Sequence, residues 1–275
     1  NNNLIYNIVM HCPICNVDTT KKYLDVLQCS NCTHIFTENV YDKKYWDDLY
    51  DNSYTADSRK FDVQRNAMYS QEILWMNKYI NLDGNFLDVG CSYGNFFLFL
   101  SKKMNKVGLE ISHKVIEEAK QIHPDFEFHN IPLCDFKTQT KFNFIQFRGV
   151  LQHSVDPVSN LKCAISLLEK NGTIIVTSLP DFSSLVSKFY RKKFGFYLPP
   201  LSPHFFTKNS FEYMIKSLNL QIIAKQSPYF FTPYSNFPKD LISFFTNKIS
   251  NKNNPPFYGN IKNYLLKYNF NQISS

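Results

Sequence analysis

From about residue 81 onward, two hydrophobic periods alternate along the chain. Phe86-Leu-Asp-Val89 is a short apolar run closed by Gly90, the pattern of a strand buried on both faces. Phe96–Leu100 follows at once as a packed helix, and Lys106–Ile111 predicts a second strand. Ser112 suits an N-cap, after which Val115, Ile116, Ala119 and Ile122 share one helical face as far as Pro124. Phe126–Phe128 and Phe142–Phe147 predict the third and fourth strands. Asp156 and Pro157 fit the N-cap and first turn of a helix on which Val158, Leu161, Ile165 and Leu168 keep helical spacing. Asn171-Gly172 is expected to turn the chain into a fifth strand, Thr173–Thr177. Ser210 opens a helix through Phe211, Ile215 and Leu218, and Leu220–Ala224 is a sixth strand. This alternation predicts a doubly wound, mostly parallel α/β sheet.

Four parts follow: a cysteine module over 1–40, an aromatic, charged connector over 41–80 that ends in a helix, the α/β domain over 81–233, and a tail over 234–275 rich in Pro, Asn and Phe. No apolar run is long enough to span a membrane. The formal charge of +7 is compatible with an anionic partner, but the lysines are dispersed, and only Lys188 with Arg191–Lys193 forms a short cluster. A solvated surface explains that distribution better than a nucleic-acid face.

The seven cysteines divide into Cys12, Cys15, Cys29 and Cys32, and the scattered singles Cys91, Cys134 and Cys163. An odd total argues against a secreted disulfide framework and predicts a reducing, cytoplasmic setting. Two CxxC knuckles thirteen residues apart supply four soft ligands, the donor set of a closed tetrahedral zinc site. A segment this small needs such a staple to fold. A redox dithiol needs only one CxxC, and iron on the same ligands is the remaining alternative. Four thiolates leave no open position, so the metal is expected to be structural, with His34 a neighbour.

Leu87-Asp-Val-Gly-Cys-Ser-Tyr-Gly94 closes the first strand and opens the following helix. Gly90 allows a tight turn and close approach of a ligand, and Gly94 relieves crowding at the helix start. Glu110, twenty residues beyond Gly90, ends the second strand, where a carboxylate can hold ribose hydroxyls. A dinucleotide fingerprint would need glycines where Ser92 and Asn95 stand. Cys134-Asp-Phe136 follows the third strand and Arg148–Pro157 the fourth.

The segment from Phe86 to Pro180, with its LDVGCSYG, VGLEIS, CDF and FNFIQFRGVLQHSVDP runs, resembles the class I S-adenosylmethionine methyltransferases. The resemblance implies a Rossmann-like domain in which Gly90, Cys91 and Gly94 line the methionine moiety, Glu110 holds ribose, and Asp135 and Phe136 flank adenine. Asp88, Ser92, Ile111 and Arg148 complete the implied cofactor set. Joined to the cysteine module and to Pro203-His-Phe-Phe-Thr207, the pattern looks like a zinc-ribbon group that commonly modifies sugars and small metabolites. Asn143 departs from the acid often found at the start of the fourth strand, and the antiparallel seventh strand of the fold has only Pro228–Phe231 as a candidate.

Hydroxyl methylation benefits from a general base. His153, just past the fourth strand, and His204, in the loop after the fifth, are the two candidates; Tyr197 is a candidate for the acceptor wall. Relatives that methylate sugar carbon carry His-Glu-His where this chain has Ser202-Pro203-His204, and they add a C-terminal domain not seen here. Both departures favour O-methylation of a nucleotide-sugar or glycan. The rivals are an rRNA or tRNA methyltransferase with a zinc module, and a non-catalytic scaffold. Asn254-Pro-Pro-Phe257 imitates an amino-methyltransferase motif but stands far from the fourth strand.

Overall fold

The computed structural model describes residues 10–19, 21–38, 62–246 and 260–270. The Asn254-Pro-Pro-Phe257 run and connector residues 41–61 lie outside the described residues. The cysteine module is richer in strands than its sequence suggests. β1 (Met10–His11) pairs with β2 (Asp18–Thr19), and β3 (Lys21–Tyr23), β4 (Val26–Gln28) and β5 (Ile35–Phe36) form an antiparallel meander. These strands are two or three residues long, too short for a period to register.

The connector ends in helix α1 (Asp62–Met76), which buries Met68, Tyr69, Glu72, Trp75 and Met76. The α/β domain then adds β6 (Asn85–Val89), β7 (Asn105–Leu109), α2 (His113–Ile122), β8 (Glu127–His129), β9 (Phe142–Arg148), α3 (Pro157–Leu167), β10 (Leu168–Pro180), α4 (Leu185–Tyr190), β11 (His204–Phe205), α5 (Lys208–Ser217), β12 (Leu220–Gln226), α6 (Phe237–Thr246) and β13 (Ile261–Tyr268). The main sheet has the order β12-β13-β10-β9-β6-β7-β8. Its β10, β9, β6, β7 and β8 are parallel, and β13 is antiparallel to both neighbours. This is the doubly wound Rossmann-like sheet that the alternation predicts.

Local signals explain the helices. Ser112 Oγ accepts from Val115 N, and Asp156 caps α3 with Pro157 at its first position. Thr207 and Ser210 form a reciprocal capping box, so α5 starts before Ser210. Asn143 Oδ1, at the start of the fourth parallel strand, accepts Asn85 N–H at 2.9 Å.

Successive residues of β6 serve opposite faces. Leu87 and Val89 join a core with α3, α5 and the cysteine module, including Cys12, Ile14 and Phe36. Phe86 joins Trp75 and Met76 of α1 and Ile116 and Ala119 of α2 on the other.

Four expectations are corrected. Phe96–Leu100 forms a tight 3-10 turn over Asn95–Phe99 rather than an α-helix, because Gly94 enters it with φ +74°. Asn171-Gly172 does not turn; β10 runs on through it with a register irregularity between Leu168 and Thr173. Pro228–Phe231 forms no strand; the antiparallel strand is Ile261–Tyr268, inside the segment read as tail, and it inserts between β10 and β12. Cys134 and Cys163 are not singles but a disulfide with Cα atoms 5.4 Å apart. The disulfide ties the turn after β8 to α3, and it removes the cysteine count as an argument for a reducing compartment. Among the described residues, no helix is long and apolar enough to cross a membrane.

Candidate active site

The carboxyl ends of β6, β7 and β9 converge at the strand-order reversal, where open α/β sheets bind ligands. Gly90 turns away from β6 with φ +72°, and its N–H and that of Cys91 both donate to Leu109 O, at 2.8 and 3.0 Å. A Cβ on Gly90 would stand 2.6 Å from Val150, and one on Gly94 would stand 2.5 Å from the Phe128 ring. Both positions therefore require glycine for space as well as for backbone conformation.

Glu110 anchors this bend. Its Oε2 accepts from Ser92 N at 3.0 Å, and its Oε1 from Ile111 N at 2.8 Å and Ser112 N at 3.1 Å. Glu110 thus places a carboxylate at the end of β7, on the sheet edge where such a group can hold ribose hydroxyls. Ser92 Oγ is buried without a partner, a polar atom aimed at no protein group, as an absent cofactor would leave it. The Ile111 side chain is exposed, and its backbone N–H serves Glu110. The bend thus fits an adenosyl ligand.

Asp88 is buried beneath the bend and accepts from Gln146 Nε2 at 3.2 Å. Burial raises its carboxyl to about 7, against the Gln146 hydrogen bond. The Cys91 thiol is pushed well up, first by burial and then by Asp88 and Glu110. Cys91 is therefore a packed, inert thiol whose backbone carries its part in the bend. Asp135 is exposed at the end of a short 3-10 turn, and the half-buried Phe136 ring lies 5.0 Å from that of His129. A cavity of about 530 Å³ opens beside the disulfide. Of the expected cofactor residues it includes only Phe136, so it is separate from the bend.

Arg148 is placed differently from the expectation. Its Nε and Nη2 donate to Glu72 of α1 at 2.9 and 3.2 Å, and its guanidinium lies 4.6 Å from the centre of the Tyr69 ring. Its fork is thus occupied by protein. Sequence reasoning missed Glu72 and Tyr69; their only signal was their position on the buried face of α1.

The two histidines have contrasting environments. His204 lies in β11, which pairs with β5 of the cysteine module. Its Nδ1 is 3.0 Å from His34 Nε2, and its Nε2 is 3.3 Å from Val155 O. Burial lowers it to about 4. His153 instead places Nδ1 2.9 Å from Leu201 O and 3.2 Å from Ser202 Oγ. A carbonyl only accepts, so Nδ1 carries the proton and Nε2 the lone pair. No described residue bonds that Nε2. Burial lowers the His153 pKa, against the Leu201 hydrogen bond, and so favours the neutral ring. Tyr197 donates to Asp25 and stacks on Phe205, tying it to the module rather than to an open pocket.

The four cysteines form a second site. Cys12 and Cys32 sulfurs are 3.6 Å apart, those of Cys15 and Cys29 are 3.4 Å apart, and all four lie within 4.8 Å. Tetrahedral zinc–thiolate bonds would separate sulfurs by about 3.8 Å, so the cluster suits such an ion. Ile14 N and Cys32 N approach the sulfurs of Cys12 and Cys29, both at 3.4 Å, as second-sphere donors do. His34 lies outside the cluster, bonded to His204.

The family description "methyltransferase domain" matches residues 61–225, and the chain belongs to that family. Fold and site define its class, the S-adenosylmethionine-dependent methyltransferases. Solved structures share the architecture. Magnesium protoporphyrin IX methyltransferase from Synechocystis with bound SAH is 15% identical, with TM-score 0.60 over 83% of this chain and 100% of that one. The plantazolicin methyltransferase BpumL in complex with SAH is 15% identical, with TM-score 0.54 over 79% and 89%. An S-adenosylmethionine-dependent methyltransferase from Clostridium acetobutylicum is 15% identical, with TM-score 0.51 over 82% and 98%. No curated protein matches the chain.

Proposed function

We propose that this methyltransferase O-methylates a sugar or nucleotide-sugar, with His153 as general base and a zinc ion bound by Cys12, Cys15, Cys29 and Cys32. The cofactor, when bound, supplies an electrophilic methyl group on a sulfonium. Gly90, Ser92, Gly94 and Glu110 would hold it at the bend, with Asp135 and Phe136 beside adenine. The chain's remaining tasks are to orient the acceptor, exclude water and receive a proton.

The observation that carries the base assignment is the Leu201 carbonyl on His153 Nδ1. It fixes the tautomer and leaves Nε2 ready to accept a hydroxyl proton as the oxygen attacks. His204 lacks that freedom, since both its ring nitrogens are engaged within the protein. Arg148 is assigned to holding α1 over the sheet through Glu72 rather than to the cofactor.

The acceptor class rests on the sequence resemblance to the zinc-ribbon group and on Ser202-Pro203-His204 in place of His-Glu-His. The structural neighbours bear the names of a porphyrin and a plantazolicin methyltransferase. Fold likeness at this identity leaves the acceptor to the site itself. Radiolabelled S-adenosylmethionine supplied with a panel of nucleotide-sugars, glycans and RNAs tests the proposal. Label on a sugar oxygen is expected; label on RNA with none on any sugar overturns the acceptor assignment.

A further inference from the structure

Helices α4 and α6 join in one continuous apolar surface. Phe189 of α4 stacks on Phe244 of α6 at 4.3 Å, and Leu185 lies one turn before Phe189. Phe237, Leu241 and Phe245 form a stripe along α6 at i, i+4 and i+8, and all three are exposed. Leu185 is 80% exposed and Phe245 77%. The stripe continues through the Phe230 ring, 6.3 Å from that of Phe237, to Phe231.

Phe231 is 94% exposed and has φ +64°, a conformation that costs energy for a bulky residue. It is held there: Gln71 Nε2 donates to its carbonyl, and Tyr229 Oη donates to Asp240 at 2.6 Å, closing the loop onto α6. A large aromatic fixed outward next to a second exposed stripe is not the scattered exposure normal on monomers.

The exposed charges on the two segments that build this surface have one sign. Lys188, Arg191, Lys192 and Lys193 follow from α4, and Lys239 lies on α6; all are exposed. Lys192 is shared with Asp25 at 3.1 Å. Within residues 184–198 and 228–246 the only acidic residue is Asp240, and it is buried.

We propose that this surface docks the enzyme onto an anionic phospholipid bilayer. Aromatic and aliphatic side chains would enter the headgroup–acyl boundary while the basic border meets lipid phosphates, the chemistry of an interfacial amphipathic surface. A second copy is disfavoured because these basic segments carry no exposed carboxylate with which to pair. The proposal is independent of the acceptor.

Co-sedimentation of the full chain with phosphatidylcholine vesicles, with and without phosphatidylglycerol, tests it. Binding to the phosphatidylglycerol vesicles is expected, weakening as salt rises. Phe245→Ser should weaken it about tenfold and Lys193→Glu about fivefold or more. Both variants should keep native affinity for S-adenosylmethionine by calorimetry, which shows that they fold. The proposal is overturned if phosphatidylglycerol confers no preference or if both variants bind as the native chain does. It is also overturned if Phe245→Ser dissociates a dimer while vesicles go unbound.

Discussion

His34 of the cysteine module and His204 of the loop beyond β10 share one proton across 3.0 Å. Val155 O accepts from His204 Nε2, so His204 Nδ1 must accept from His34 Nε2, leaving His34 Nδ1 facing Ser210 Oγ at 3.4 Å. Two stacked neutral imidazoles thereby connect the module to the segment that fixes His153. β11 also extends the module's own sheet, so Leu201 and Ser202 sit two or three residues from a strand that the module holds.

Breaking the cysteine cluster should therefore be felt at His153, the proposed base. If the cluster holds zinc as proposed, the native chain should carry metal by colorimetric assay, and Cys29→Ser should lose it together with about 3 kcal/mol of stability in denaturant. kcat should fall further than cofactor affinity does, because the bend lies on other strands.

His153→Asn places an amide N–H where Nδ1–H stands, so it can keep the hydrogen bond to Leu201 O while removing the proposed base. It should lower kcat by about a hundredfold or more while leaving the calorimetric affinity for S-adenosylmethionine unchanged. The acidic limb of the native pH–rate profile should disappear with it. A variant with native kcat would assign the proton to another acceptor.

Glu72 is buried and Arg148 is 18% exposed. Glu72→Ala leaves a partly buried guanidinium without its partner and should cost about 2 kcal/mol. Replacing both residues with Met should recover most of that loss, since the pair's desolvation cost goes with it. Urea unfolding of the three variants distinguishes a lost partner from lost packing.

Asp88 and His204 oppose one another in acid. The folded carboxyl of Asp88 lies near 7, above its unfolded value, so its contribution to stability is present at low pH and is lost as pH rises toward 7. His204 lies near 4 when folded, below its unfolded value, so its contribution is lost as pH falls from about 6.5 toward 4. Asp88→Asn should remove the first slope and make stability rise more steeply with pH across that window, as urea midpoints would show.

β6 and β7 were legible because each is a compact apolar run next to a glycine or a cap, as at Phe86–Gly90 and Leu109–Ser112. The cysteine cluster was legible from spacing alone. Glu72 was not, because an acid on an amphipathic face looks solvated until Arg148 is placed over it. The Cys134–Cys163 bond joins residues 29 positions apart that no local pattern relates. β13 was hidden because Lys, Asn and Tyr flank its short apolar centre, whose buried Asn263 accepts Ser178 N–H at the β10 irregularity.

That strand has a consequence for how the protein is made. β10 and β12 do not pair with each other; the segment that joins them follows both in the chain. Until it arrives, each presents a raw backbone edge able to recruit other chains. A nascent or clipped polypeptide ending before Ile261 would thus be a sticky intermediate needing chaperone care, not a smaller working enzyme.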